Sequence, residues 1–232
     1  MDLSFIEGMI VGRKKLWRLA ELDDFDNLIQ LTDQQEEEDF RLRGAWSDEY
    51  FKNDNPITLE LACGKGDYTI ALAEKHPDKN FIGIDMKGPR LWSGCVAAQE
   101  RGLDNVAFLR IEILNLALYF AKGEIDEIWI TFPDPFLKNG SYNKRLTASR
   151  YLAAYQQVTK AGATIHLKTD STPLFEFSLR SLRDNRCTVE EKVDDVHDEE
   201  ERHEDLYIKT NYEKKHLADN RTIKYVRFSL AE

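Results

Sequence analysis

Two glycines and an acidic residue form the first candidate site in the sequence. Glu60 lies within an otherwise apolar run, and Gly64 and Gly66 follow it where a helical pattern begins. Glycine allows positive φ and lets the backbone approach a ligand closely. Thr69 stands where the GxGxxG fingerprint for pyrophosphate cofactors has its third glycine, so that fingerprint is incomplete. A plain structural turn explains a single Gly-x-Gly pattern equally well.

Acidic residues indicate which cofactor this turn would hold. Asp85 ends the next predicted strand, where a carboxylate accepts hydrogen bonds from the two hydroxyls of an adenosine ribose. NAD brings a pyrophosphate to the turn, whereas S-adenosylmethionine brings an ammonium and a sulfonium. Glu60 attracts those cations and repels a pyrophosphate, so the residues favour S-adenosylmethionine. Glu112, at the end of the third predicted strand, is a candidate for holding the adenine edge, and a solvated surface carboxylate explains it equally well.

Asp134 lies between two prolines at the end of the fourth predicted strand, in the run Phe132-Pro133-Asp134-Pro135. Each proline fixes its own φ and restricts the residue before it, so the aspartate is held in one direction. Ligands bind at the carboxyl ends of parallel strands, which favours a functional role over a plain turn. The pattern is similar to the loop with which some methyltransferases bind the amine of a nitrogen acceptor. Phe132 and Phe136 are predicted either to stack on a base or to belong to the core.

Positive charge follows this loop, although the chain as a whole is acidic. The formal net charge is −10, but ten of the acidic residues lie in the stretch 190–205, which has only two basic ones. The local field over a cleft, and not the sum over the molecule, decides whether a polyanion binds. We therefore predict that the acidic stretch is a solvated loop, and that basic side chains hold the phosphates of a base-containing substrate. These basic residues are Lys138, Lys144, Arg145 and Arg150.

Strands and helices alternate from residue 57 onward. Seven apolar runs predict strands, and periodic segments between them predict helices. This order is typical of an α/β fold with a doubly wound, mostly parallel, seven-stranded sheet, whose carboxyl edge would collect the residues above. The predicted strands are residues 57–63, 80–85, 106–111, 125–132, 163–168, 187–193 and 223–230, and the predicted helices are residues 67–76, 90–101, 147–160 and 172–183.

Residues 1–55 do not fit this alternation and are predicted to form an N-terminal helical and basic arm, with helical periodicity over residues 13–31. Residues 56–232 would then form the single main domain. No apolar stretch approaches the roughly 18 residues that a membrane helix needs, so no membrane contact is expected. The three cysteines contain no CxxC pair, which predicts neither a disulfide framework nor a bound metal and fits the reducing cytoplasm.

Longer motifs around these residues resemble one known family, the bacterial tRNA (guanine-N7)-methyltransferases. The resemblance covers about residues 56–230 and rests on the runs 59–66, 80–85, 131–135, 167–170 and 210–213. It implies a class I methyltransferase-like fold. It also implies methylation of N7 of a guanine in the variable loop of tRNA (position 46), with S-adenosylmethionine as the donor. N7 carries a free lone pair, so such an enzyme mainly aligns donor and acceptor and stabilises the charge that forms on the ring.

The same resemblance implies roles for individual residues. Asp134 would be the catalytic residue, and the partner would be tRNA, bound by a cytoplasmic monomer or homodimer. Two alternatives stay open: methylation of a nitrogen in another nucleic acid or a protein, and an RNA-binding module without activity. The implied cofactor residues are Glu60, Gly64, Gly66, Asp85, Glu112 and Asp134, and the implied substrate residues are Lys138, Asp170, Thr210, Asn211, Tyr212 and Glu213.

Overall fold

Eight strands form one sheet in the residues that the computed structural model describes, which are 15–30, 40–138, 140–198, 202–219 and 221–231. The strands are β1 (Leu28–Ile29), β2 (Ile57–Leu61), β3 (Asn80–Ile84), β4 (Val106–Leu109), β5 (Ile125–Thr131), β6 (Thr159–Thr169), β7 (Thr188–Val193) and β8 (Lys224–Ser229). Their order across the sheet is β1-β4-β3-β2-β5-β6-β8-β7. Neighbouring strands are parallel, except that β8 is antiparallel to both β6 and β7.

Helices cover both faces of this sheet. On one face, α1 (Asp67–Lys75) and α2 (Gly88–Glu100) contribute to one hydrophobic core. On the other face, α3 (Leu116–Tyr119), α4 (Ser149–Gln156) and α5 (Thr172–Asp184) contribute to a second core. A further helix, α6 (Asn211–Ala218), precedes β8. The predicted doubly wound α/β fold is therefore confirmed.

The central strands bring the candidate site residues together. Every residue of β2, β3 and β4 is buried, as expected for strands that are covered by helices on both faces. Leu61 at the end of β2 is in register with Ile84 at the end of β3 and with Ile130 near the end of β5. The segments that follow these strands therefore meet at one edge of the sheet.

The N-terminal arm differs from its prediction in two ways. Among its described residues, 15–20 are helical, but the helix does not continue to residue 31, and Leu28–Ile29 form β1 beside β4. The predicted count of seven strands is therefore one short, because a two-residue strand is too brief to show alternation. Trp46 begins a π-helical turn, Trp46–Phe51, and is fully buried, with its indole N–H donating to the Tyr119 carbonyl at 3.0 Å. Residues 1–14 and 31–39 lie outside the described residues.

The acidic stretch 190–205 is only partly the solvated loop that was predicted. Glu190 and Glu191 belong to β7. Asp205 is 4% exposed and accepts from Lys75 at 2.8 Å and from His76 at 2.9 Å, so the prediction is wrong for this residue. Residues 199–201 lie outside the described residues. Nowhere in the described ranges is a helix long and apolar enough to cross a membrane.

Candidate cofactor and active site

Two adjoining cavities open at the carboxyl ends of β2 to β5. We call the smaller one, of about 330 Å³, the Gly64 cavity, and the larger one, of about 470 Å³, the Asp134 cavity. Ala62, Arg90 and Phe132 line both, so the two spaces are neighbours. The Gly64 cavity is also lined by Glu60, Gly64, Lys65, Asp67, Thr131, Thr210, Asn211, Tyr212 and Lys215.

Glu60 is held at the end of β2 by hydrogen bonds. Its carboxylate accepts from the Thr69 backbone N–H at 2.8 Å, from the Thr69 hydroxyl, and from the Thr131 hydroxyl at 2.6 Å. Burial raises its pKa to about 7, and these hydrogen bonds limit the shift. An ionised carboxylate that is buried is costly unless a cation lies beside it. Glu60 therefore favours a cationic ligand in the Gly64 cavity, which it lines.

The turn after β2 requires glycine for two different reasons. At Gly64 the reason is the backbone conformation, since φ is +62°. A Cβ there would meet no atom within 4 Å, because the residue lines the open cavity. Gly66 has φ +74°, and a Cβ there would lie 2.6 Å from the Phe108 ring. Gly66 lets α1 begin directly against the sheet, and it lines neither cavity. Ala62 adopts φ +57°, a left-handed conformation that non-glycine residues rarely adopt.

Asp85 and Glu112 lie on the Asp134 cavity at the ends of neighbouring strands. Asp85 accepts from the Gly64 backbone N–H at 3.0 Å and from the Lys87 backbone N–H at 2.8 Å, which fixes its carboxylate between two loops. Glu112 follows β4 and is exposed. Apolar side chains also line this cavity: Met86, Ile111, Ile113 and Leu114.

Asp134 is exposed on the loop 132–138, and a buried arginine fixes that loop from behind. Arg145 is 3% exposed, and its guanidinium donates to the Pro135 carbonyl at 2.9 Å and to the Phe136 carbonyl at 3.2 Å. Phe132 and Phe136 both adopt positive φ, +47° and +42°. The prediction that Arg145 holds an RNA phosphate is therefore corrected, because its donors face the loop and not the solvent. Lys144 and Arg150 are exposed and do line the Asp134 cavity.

The start of α6 closes the other side of the Gly64 cavity. Asn211 donates through its backbone N–H and its side-chain amide to Asp67, at 3.2 and 3.0 Å. The Tyr212 ring lies 5.4 Å from the Phe132 ring, measured between centroids. Thr210 also lines the cavity, and its hydroxyl accepts from the Glu213 backbone N–H at 3.1 Å.

Glu213 lies behind this wall and does not reach either cavity. It is fully buried, and its carboxylate accepts from Lys168 at 2.8 Å and lies 2.9 Å from the His197 ring nitrogen. Lys168 is also fully buried and donates to the carbonyls of Leu206 and Ile208. Burial lowers the pKa of Lys168, and the Glu213 carboxylate opposes that shift. The predicted direct substrate contact of Glu213 is corrected, because both oxygens are engaged inside the protein.

The cavities bring together most of the predicted residues, but not all of them. Glu60, Gly64, Asp85, Glu112, Asp134, Thr210, Asn211 and Tyr212 line one cavity or the other. Lys138 is exposed outside both cavities. Asp170 lines neither and is paired with Arg221 at 2.9 Å. Five charged lining residues were not predicted, although Lys215 is one helical turn after Asn211 and Asp67 directly follows the glycine turn. They are Lys65, Asp67, Lys87, Arg90 and Lys215.

This sheet, with its cavities at the carboxyl edge, places the chain among the class I methyltransferases, and the family model "Putative methyltransferase" matches residues 54–226. A tRNA (guanine-N(7)-)-methyltransferase of Porphyromonas gingivalis is 47% identical over 86% of this chain and 81% of its own length. One from Christiangramia forsetii is 43% identical over 94% and 99%. The chain therefore belongs to the tRNA (guanine-N7)-methyltransferase family.

Solved structures of more distant enzymes share the fold. The 16S rRNA methyltransferase KamB superposes with a TM-score of 0.63 at 14% identity, covering 88% of this chain and 96% of its own. An antibiotic-related methyltransferase gives a TM-score of 0.57 at 19% identity, covering 86% and 96%. At these identities the likeness concerns the fold alone.

Proposed function

We propose that this enzyme transfers a methyl group from S-adenosylmethionine to N7 of a guanine in the variable loop of tRNA (position 46), forming 7-methylguanosine. The observation that carries the proposal is the contact between the two cavities at Phe132. It supports a donor site that spans both cavities, with Asp134 on the rim where the acceptor guanine approaches. Holding two reactants side by side contributes much of the rate of a transfer reaction.

The lining residues fit S-adenosylmethionine at both of its ends. The Gly64 cavity mixes the carboxylates of Glu60 and Asp67 with the cationic side chains of Lys65, Arg90 and Lys215, which suits the zwitterionic amino-acid end. The Asp134 cavity combines apolar side chains with the carboxylates of Asp85 and Glu112, which suits an adenine and a ribose. The volumes of the two cavities lie in the range of about 300–1,000 Å³ that is usual for ligand sites.

The chain itself has to orient the guanine and stabilise charge. S-adenosylmethionine, when bound, supplies a methyl group made electrophilic by the sulfonium. N7 has a free lone pair, so no proton has to leave it. We assign Asp134 the role of accepting hydrogen bonds from the guanine edge and of stabilising the positive charge that forms on the ring. The two flanking prolines and the Arg145 hydrogen bonds limit the motion of this carboxylate.

Substrate contacts follow the same logic. We assign tRNA phosphate contacts to the exposed cations Lys138, Lys144 and Arg150, and contacts near the reacting groups to Thr210, Asn211 and Tyr212. Asp170 acts through Arg221, and Glu213 through α6, so both are supporting residues in this proposal. The enzyme is proposed to act in the cytoplasm, as a monomer or homodimer.

Mass-spectrometric mapping tests the proposal directly. The chain is incubated with tRNA and isotope-labelled S-adenosylmethionine, and the tRNA is digested with nucleases. We expect the label in 7-methylguanosine from the variable loop. Label in another nucleoside, or in DNA or protein offered in parallel, would redirect the acceptor assignment. No label anywhere, together with no heat of S-adenosylmethionine binding in calorimetry, would leave an RNA-binding module without activity.

A further inference from the structure

A third cavity continues the Asp134 cavity along α5. We call it the Arg180 groove; its volume is about 390 Å³. Arg150 lines both the groove and the Asp134 cavity, so the two spaces share a cationic side chain. The groove is also lined by Tyr142, Asn143, Phe177, Arg180, Asp184 and Asn185.

Tyr142 forms a rigid aromatic surface at this groove. Its ring is nearly parallel to that of Phe177, with an interplanar angle of 20° and centroids 6.2 Å apart. The Arg145 guanidinium lies 4.6 Å from each centroid. Tyr142 is nevertheless 42% exposed. A partly exposed ring that neighbouring side chains hold in place is suited to stacking against a flat partner with little loss of side-chain entropy.

The charges of the groove are unbalanced in favour of anions. Arg150 and Arg180 are exposed, and neither forms an ion pair with a residue in the described part of the chain. Among the described residues that line the groove, Asp184 is the one acidic residue, and it lies 3.4 Å from Arg183, which is not part of the lining. Asn143 and Asn185 add amide groups that can bind a phosphate, a sugar or a base.

We propose that the Arg180 groove binds a nucleotide of the tRNA next to the methylated guanine, with the phosphate on Arg150 and Arg180 and the base against Tyr142. This rests on the proposed function, since it assumes that the target guanine approaches Asp134 at the rim of the Asp134 cavity. Cations combined with an exposed aromatic face are the usual means of binding single-stranded nucleic acid. Arg150 lines both the groove and the Asp134 cavity, as expected if two consecutive nucleotides of one RNA strand bind there.

Arg180→Ala and Arg180→Lys, with Arg183→Ala as the matched control on the same helix, test this assignment. Initial rates are measured on intact tRNA over a range of tRNA and salt concentrations, and S-adenosylmethionine affinity is measured separately. We expect Arg180→Ala to raise the KM for tRNA about tenfold and to reduce the slope of log affinity against log salt by about 1. S-adenosylmethionine affinity should not change. Arg180→Lys should retain most of the affinity, because lysine also binds phosphate.

Tyr142→Leu and Tyr142→Phe supply a second arm. Leucine should raise the KM for tRNA, whereas phenylalanine, which keeps the ring, should restore it. Equal behaviour of Arg180→Ala and Arg183→Ala on an active wild-type background overturns the groove assignment and leaves the methylation proposal intact. A wild-type chain that makes no 7-methylguanosine defeats the methylation proposal first. Unchanged tRNA kinetics with loss of binding to an acidic protein would assign the groove to that partner and also overturn our proposal.

Discussion

The loop that carries Asp134 and the segment that carries Asn211 and Tyr212 meet where Tyr212 packs on Phe132, but different interactions hold them. The loop is fixed by one buried guanidinium that donates to two backbone carbonyls. The segment before and within α6 is fixed by a buried ion pair, Lys168 with Glu213, whose ammonium also donates to two backbone carbonyls.

This difference predicts different consequences when each support is removed. Arg145 donates to two neutral carbonyls. Removing its side chain therefore leaves no unpaired buried charge and mainly increases the mobility of the loop. The loss of Glu213 leaves the Lys168 ammonium buried without its counterion, which is a far greater cost to folding. The loop side should therefore respond mainly in catalysis, and the α6 side mainly in stability.

The loop side is expected to show its largest effect at Asp134 itself. Asp134→Ala should lower kcat about 1,000-fold, the scale on which one preorganised electrostatic group contributes to a transition state. S-adenosylmethionine affinity and the melting temperature should change little, because the side chain is exposed. Single-turnover rates and calorimetry measure these quantities. Asp78→Ala, an exposed carboxylate before β3, is the control, and near-normal turnover of Asp134→Ala would refute the assigned role.

The α6 side should respond in stability. Glu213→Leu should lower the free energy of unfolding by about 3–5 kcal/mol, because Lys168 is then buried and unpaired. Lys168→Met in the same chain should recover more than half of that loss. Denaturant titration of the two single variants and the double variant measures the coupling. Strictly additive losses would show that the two residues do not support the segment as a pair.

Arg145 offers a sharper separation of the two sides. Arg145→Ala should lower kcat/KM about 100-fold through displacement of the loop that carries Asp134. Arg145→Lys should rescue little, because an ammonium cannot reproduce both the hydrogen bonds to two carbonyls and the contacts of the planar guanidinium with the Tyr142 and Phe177 rings. Rates at two salt concentrations provide the check. If lysine restored activity and the effect weakened with salt, Arg145 would be a phosphate ligand after all.

The sequence predicted the parts of the site that depend on strand ends. The strands β2, β3 and β5 are apolar runs long enough to be recognised, so Glu60, Asp85 and Asp134 could be assigned to one edge of the sheet. The helix predicted over 147–160 instead ends at Gln156, because β6 begins at Thr159, four residues earlier than its apolar core suggests.

Neighbouring residues of the same type could not be told apart. Lys144 and Arg145 are adjacent cations in an irregular segment, where no periodicity indicates which side chain faces inward. Lys144 is exposed, whereas Arg145 is buried, with 3% of its surface accessible. Glu213 forms a buried ion pair with Lys168, which is 45 residues away in the sequence. No local sequence pattern predicts such a contact. Five runs of sequence could identify the family without revealing which of their residues touch a ligand.

The smallest predicted effect is the pH dependence of S-adenosylmethionine affinity, which we attribute to Glu60. Burial raises the pKa of Glu60 to about 7, so the ionised form is lost as the pH falls through that value. In the proposed function, the ionised form of Glu60 attracts the ammonium of the cofactor. S-adenosylmethionine affinity should therefore rise about tenfold between about pH 6 and pH 8 and then level off. Titration calorimetry with Glu60→Gln, whose affinity should be lower and independent of pH, provides the comparison.

The stability of the ligand-free chain should change in the opposite direction. A carboxyl group with a raised pKa binds its proton more tightly in the folded state, so folding loses this advantage as the pH rises from about 4.5 to about 7. Glu60→Gln should remove that slope. A wild-type chain whose stability falls up to about pH 7 and whose cofactor affinity rises through the same value would locate both effects in one carboxylate. If the affinity rose in Glu60→Gln as well, the titrating group would lie elsewhere, and the hydrogen-bonded carboxylate at the end of β2 would serve only to fix the turn.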